Sequence, residues 1–168
     1  MTLTKTKIIF LDIDGVLATV RQFNLNKGAK TYINEYDTYP FDKKCVKIFN
    51  EVLERTDAEI VLSSDWQYFY KKKEIDDIFK INEVIKSPIA FTSDLKTKGK
   101  IEHPYDNRVY MIKAYHMENQ HRISNFVVID DLDLSGAFGE NFIYCKSDFE
   151  GIKLTGLKDK MINKLNKI

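Results

Sequence analysis

Short apolar runs punctuate an otherwise polar chain. KIIFL over Lys7–Leu11, EIVL over Glu59–Leu62, FVVI over Phe126–Ile129 and the run Phe142–Cys145 have the unbroken character of strands buried on both faces. Val84–Phe91 is a weaker run interrupted by Pro88, which predicts a strand that is short or lies at an edge. Between the runs the apolar positions change to helical spacing. Phe41, Cys45, Phe49 and Val52 predict a helix N-capped by Asp42 and ending near Thr56. Further helices are expected over Trp66–Lys80, over Arg108–Asn119 with Ile112 and Tyr115 inward, and at the end of the chain. There Leu157, Met161, Leu165 and Ile168 share a face and Thr155 can cap. Residues 18–40 and 92–107 read as irregular, polar segments.

Strands alternating with amphipathic helices predict an α/β fold, a Rossmann-like three-layer sandwich with a mostly parallel five-stranded sheet. With no repeat, linker or break in composition, residues 1–168 are expected to form one domain. In such sheets the site lies at the carboxyl ends of the strands, so the polar residues that stop the apolar runs carry the functional signal. They are Asp12 and Asp14, Ser63 and Ser64, and Asp130 and Asp131. Carboxylates converging at one sheet edge repel one another unless a divalent cation sits among them. Oxygen donors without a soft ligand suit Mg²⁺, and Mg²⁺ beside a carboxylate points to phosphate chemistry. In Asp12-Ile13-Asp14-Gly15, alternate residues project to one side and the glycine permits a sharp turn. One carboxylate can attack phosphorus, and the other can protonate the leaving oxygen.

Composition narrows the picture. Lys and Arg number 26 against 25 Asp and Glu, a net charge of +1. Attachment to nucleic acid or anionic lipid by bulk charge is therefore not expected, although local basic patches are compatible. The 2 cysteines, Cys45 and Cys145, cannot supply a four-ligand zinc site and read as reduced core thiols. No apolar run has the roughly 20 residues of a membrane span. No stretch like a signal peptide precedes the first strand, so a cytoplasmic location is expected. His103, His116 and His121 lack metal-like spacing.

IIFLDIDGVL (Ile8–Leu17), IVLSSDW (Ile60–Trp66) and FVVIDDLD (Phe126–Asp133) resemble motifs one, two and four of the haloacid dehalogenase (HAD) superfamily of phosphohydrolases. VLSSDW and the run Arg108–Ile112 resemble most a small branch of HAD-like domains, some attached to RNA-repair proteins. The resemblance implies Asp12 as the nucleophile of an aspartyl-phosphate. It implies Asp14 as the acid and base that also gives its backbone carbonyl to Mg²⁺. Ser63 would bind a phosphoryl oxygen, with Ser64 as the alternative. Asp131 is the expected third metal ligand, and Asp130 a second ligand or an orienting neighbour. The motif-three cation is expected to be Arg108, with Lys113 next and Lys98 and Lys100 in reach from the preceding loop.

Superfamily members usually select substrates with an inserted cap domain. Residues 18–40 are too few for one and are expected to form a flap over an open site, which suits a phosphate on a large substrate. Arg21, Phe23, Lys27, Lys30, Tyr32, Tyr36 and Tyr39 interleave basic and aromatic residues there, a composition able to hold phosphates and stack on bases. The expected function is a Mg²⁺-dependent phosphomonoester hydrolase acting on a nucleotide or polynucleotide end. The alternatives are a phosphatase of small metabolites and a catalytically silent HAD-fold binding module.

Overall fold

The computed structural model describes residues 5–29, 36, 38–94 and 104–167. Five strands, β1 (Thr6–Leu11), β2 (Glu59–Leu62), β3 (Ala90–Phe91), β4 (Ile123–Asp130) and β5 (Phe142–Tyr144), form one sheet in the order β3-β2-β1-β4-β5. Every pairing is parallel. The helices are α1 (Val20–Ala29), α2 (Lys43–Thr56), α3 (Lys72–Ile81), α4 (Pro104–Asn119), α5 (Ser135–Phe138) and α6 (Leu157–Leu165).

The sheet is covered on both faces, as an all-parallel sheet requires. Alternation along β1 sends Ile9 and Leu11 into one core and Ile8 and Phe10 into the other. The first core holds Ile60, Leu62, Val127 and Ile129 against the apolar stripes of α2, α3 and α6. The second packs Val61 and Val128 against Ile112 and Tyr115 of α4, Leu134 and Phe142. This is the three-layer α/β architecture that the sequence pattern predicts.

Parallel register aligns the strand ends. Leu11 is paired with Leu62 on one side and with Ile129 on the other. The next residue along each strand is Asp12, Ser63 and Asp130, so these lie side by side across the middle of the sheet.

Several elements depart from expectation. Residues 18–40 are not wholly irregular, because α1 occupies Val20–Ala29. It hangs from Thr19, whose hydroxyl accepts from the backbone N–H of Gln22 at 3.2 Å. The single helix expected over Trp66–Lys80 is a 3-10 turn, Asp65–Tyr68, followed by α3. Only Ala90–Phe91 of the run Val84–Phe91 pairs as strand, in keeping with Pro88 just before it. The last helix is preceded by Gly156 in a left-handed conformation, and no side chain caps it, so Thr155 is not its cap. Asp42 does cap α2, accepting from the N–H groups of Lys44 and Cys45 at 2.9 and 3.3 Å. It also pairs with Lys153. Among the described residues no helix is long and apolar enough to cross a membrane.

Candidate active site

Asp12 follows β1 directly. Its backbone N–H bonds to the Ile129 carbonyl at 3.0 Å, and Ser63 N–H bonds to the Leu11 carbonyl at 2.9 Å. The hydrogen-bond ladder thus continues one step past the strands and fixes both residues. Asp12 is 4% exposed, Asp130 and Ser63 are fully buried, and Asp131 is half-buried. Carboxylate oxygens of Asp12, Asp130 and Asp131 lie within 4.8 Å of one another.

Arg108 is the cation among them. Its Nη1 stands 2.6 Å from Asp130 Oδ2 and 3.3 Å from Asp12 Oδ2, and its Nη2 stands 3.2 Å from Asp65 Oδ1. The guanidinium side chain is 10% exposed. A planar fork can serve several carboxylates at once, which a lysine ammonium does less well. Lys113, the other candidate of the same helix, is exposed and lies 5.9 Å from the centre of the Phe138 ring. Lys98 and Lys100 lie outside the described residues. Nothing in the sequence marks Asp65 apart from its position one residue beyond the serine pair.

The remaining oxygens are also directed. Asp12 Oδ1 accepts from the Ile13 N–H at 2.8 Å, and Asp130 Oδ1 accepts from the Leu132 N–H at 2.9 Å. The turn after Asp12 is tight, with the N–H groups of Val16, Leu17 and Ala18 all converging on the Ile13 carbonyl. Gly15 within it has φ +68°, and a Cβ there would fall 2.3 Å from Asp131 Oδ2. The motif needs glycine for its backbone conformation and for the close approach of the second acidic loop. Asp14 differs from the three clustered acids. Its side chain is exposed and accepts the Trp66 indole N–H at 2.8 Å, so the carboxylate itself is not one of the clustered ligands.

Burial and crowding shift the acids together. Asp130 rises to about 7, through burial first and repulsion from Asp12 second, against the pull of Arg108. Asp131 rises to about 6 for the same reasons. Asp12 is raised by burial, with Arg108 and the Ser64 hydroxyl acting the other way. Asp14 is raised by desolvation and by the charges of Asp12 and Asp65, while the Trp66 hydrogen bond lowers it.

The two serines differ in their contacts, and it is the Ser64 hydroxyl that also faces Asp12. Ser64 Oγ caps the 3-10 turn, accepting from the Trp66 N–H at 3.5 Å. Ser63 Oγ is fully buried and has no hydrogen-bond partner. A hydroxyl left in that state costs free energy unless a ligand completes it, and it sits beside Asp12 at the strand ends.

The profile of the family described as HAD domain in Swiss Army Knife RNA repair proteins matches residues 8–155. The chain belongs to this HAD family. The match runs from β1 through Thr155 and so takes in Asp12, Asp14, Ser63, Arg108, Asp130 and Asp131. No curated protein and no solved structure matches the chain.

Several other residues singled out in the sequence are not members of the carboxylate cluster of this HAD domain or lie outside the described set, although the Cys145 N–H bonds to the Asp130 carbonyl at 3.0 Å. Cys45 and Cys145 are buried and unpaired, and burial pushes the Cys45 thiol up to about 12, which keeps it protonated. His116 packs on Phe126, with ring centres 4.5 Å apart. His103, Lys30 and Tyr32 lie outside the described residues.

Proposed function

We propose that this chain is a Mg²⁺-dependent phosphomonoesterase that removes phosphate from nucleotide or RNA ends through an aspartyl-phosphate on Asp12. The observation that carries the reading is the surrounding of Asp12: two further carboxylates, the Arg108 guanidinium, and a buried Ser63 hydroxyl lacking a partner. The family's occurrence in RNA repair proteins supports the substrate class.

Asp12, Asp130 and Asp131 are hard oxygen donors close enough to share one ion and fit Mg²⁺, with the Asp14 backbone carbonyl as the further ligand that the family resemblance implies. When bound, the ion neutralises phosphoryl oxygens and the crowded carboxylates. The chain's own residues do the rest. A carboxylate oxygen of Asp12 attacks phosphorus, and the bond from phosphorus to the leaving oxygen breaks. Asp14, at the exposed rim, gives that oxygen its proton. Deprotonated Asp14 then takes a proton from the water that attacks the aspartyl-phosphate, and inorganic phosphate leaves with Asp12 restored. Ser63 Oγ donates to a phosphoryl oxygen, and Arg108 holds the nucleophile and the phosphate in place.

Phosphate release from an aryl phosphate and from 3′- and 5′-phosphorylated oligonucleotides tests this, run with Mg²⁺, with EDTA and with Asp12→Asn. Mg²⁺-dependent release that disappears in Asp12→Asn is expected. Release that survives in Asp12→Asn would end the aspartyl-phosphate reading.

A further inference from the structure

The leaving group has a place prepared for it. Asp14 forms part of the wall of a cavity of about 480 Å³ that runs from the carboxylates along α1, bounded by Phe23, Thr38, Tyr39, Trp66 and Tyr70. This lies within the roughly 300–1,000 Å³ of small-ligand pockets. An acid that protonates the leaving oxygen must touch the group that departs, so whatever leaves occupies the space beside Asp14.

The cavity wall states what that group is. Phe23 is 43% exposed and Val20, beside it, 39%. Two large apolar side chains are thus left open on the face of α1 that overlooks the site, while Leu25 is exposed away from it. The Phe23 and Tyr39 rings meet edge to face at 4.8 Å, an arrangement that braces Phe23. Trp66, fixed by its bond to Asp14, packs against Tyr70 at 5.4 Å and Phe41 at 5.8 Å. These are rigid aromatic surfaces with few rotamers to lose on binding. Asp131 and Asp148 complete the wall, and their negative charge is unsuited to a second phosphate. A neutral, flat, aromatic occupant with polar edges fits all of these features.

We propose that the cavity between α1 and Trp66 receives the nucleoside of the terminal nucleotide, its base stacked on the aromatic wall formed by Phe23 and Trp66. The inference rests on the phosphatase reading for its orientation, because Asp14 as acid is what places the leaving group here. Stacking is indifferent to base identity, since every base has a π face. The site therefore selects a base-bearing phosphate without selecting a sequence.

Trp66 is the chain's one tryptophan, so its fluorescence reports on the cavity directly and without turnover. The full chain is titrated with adenosine, with uridine and with ribose 5-phosphate, which lacks a base. Both nucleosides are expected to change the emission saturably, and at much lower concentration than ribose 5-phosphate. In Phe23→Ala their affinity falls about 5- to 150-fold, the range of one base–aromatic stack. Phe23→Leu keeps the apolar volume without the ring and gives the same direction if the alanine variant fails to fold by circular dichroism. Nucleosides that leave Trp66 unchanged, or that bind the wild type and the folded Phe23 variants equally, overturn the proposal. Aryl phosphate turnover by the same preparation separates the two readings. Turnover without nucleoside binding removes the cavity's role and leaves the phosphatase. Nucleoside binding without turnover on any substrate removes the phosphatase and leaves the cavity occupied.

Discussion

Trp66 donates its indole N–H to Asp14 Oδ2 over 2.8 Å, joining the turn after β1 to the turn after β2. Asp14 sits at the rim with few other constraints, so this bond sets where its carboxylate points. It also favours the charged carboxylate, opposing the desolvation that raises Asp14. Asp14→Asn is expected to lose about 10²- to 10⁴-fold in kcat, the usual worth of a general acid. Trp66→Phe should lose less, at most about 10²-fold. Without the indole donor the Asp14 pKa moves further up. The limb of the pH profile that requires protonated Asp14 then shifts to higher pH. A pH–rate profile of the two variants beside the wild type checks this; an unshifted limb in Trp66→Phe would disconnect the indole from the acid.

Arg108 offsets carboxylates that would otherwise be buried unpaired. Removing one member of such a set costs about 3–5 kcal/mol. Arg108→Ala should be destabilised on that scale at pH 8, measured by urea unfolding in EDTA. The loss should shrink near pH 5, where Asp130, at about 7, and Asp131, at about 6, take up protons. Arg108→Lys should recover part of the stability and little of the activity, since an ammonium cannot reproduce the fork.

The same two acids give the metal-free chain a pH dependence of known sign. Their folded values lie above the ordinary 3.8, so the folded state holds protons more tightly than the unfolded state does. Their contribution favours folding at low pH and is lost as pH rises from about 4 through about 7. In EDTA, the melting temperature should therefore be higher near pH 5 than near pH 8. Millimolar Mg²⁺ should raise it, and more so at the higher pH, because binding to the folded state alone stabilises it. Thermal melts in a matrix of pH and Mg²⁺ test both signs.

Asp42 and Lys153 behave in the opposite sense. Burial would raise Asp42, but Lys153 and the N–H groups of Lys44 and Cys45 more than offset it and hold the carboxyl below its ordinary value. Its contribution is present above about pH 4 and lost as pH falls through the lowered folded value. Asp42→Ala removes the α2 cap and leaves Lys153, which is 11% exposed, with Glu150 at 3.8 Å as its carboxylate partner. A loss of about 1–3 kcal/mol is expected from the cap and the charge-assisted bond, with aryl phosphate turnover per folded molecule retained.

Gly15→Ala inserts a Cβ where Asp131 Oδ2 stands 2.3 Å away, at φ +68°. Asp131 must move, and a ligand shifted by about 1 Å can cost on the order of 10²-fold in rate. The variant should need more Mg²⁺ for half-maximal turnover than the wild type, with its far-ultraviolet circular dichroism preserved.

Much of the architecture is legible in the sequence because buried parallel strands are written as unbroken apolar runs. β2 is marked to the residue, and the polar stops after β1, β2 and β4 mark the site. The alternation of Ile8, Ile9, Phe10 and Leu11 between two cores leaves no polar position to confuse the signal. The helix α1 is not legible, since Val20, Phe23 and Leu25 are all exposed and make no core-facing stripe. β3 is reduced to two residues because Pro88 has no N–H to extend the ladder, although the Ile89 N–H still bonds to the Ile60 carbonyl of β2 at 2.8 Å. Arg108 could be nominated by its place in the helix before β4 but not distinguished from Lys113 by spacing alone. What separates them is the ion pairing with Asp12, Asp130 and Asp65. Ser63 and Ser64 are likewise equivalent in sequence; in the fold Ser64 caps the 3-10 turn and faces Asp12, while the Ser63 hydroxyl is buried without a partner.

The central position of β1 has a consequence for how the acidic cluster is built. Asp12 lies on the strand flanked by β2 and β4, and its neighbours Ser63 and Arg108 come from the middle of the chain, Asp130 from its last third. Pairings so distant in sequence close late during folding. The carboxylates of Asp130 and Asp131 reach Asp12 only when β4 pairs with β1, so the three-acid cluster is a product of that long-range pairing and not of the local Asp12-Ile13-Asp14-Gly15 segment. Proximity of the three acids is thus a signature of the β1–β4 pairing itself.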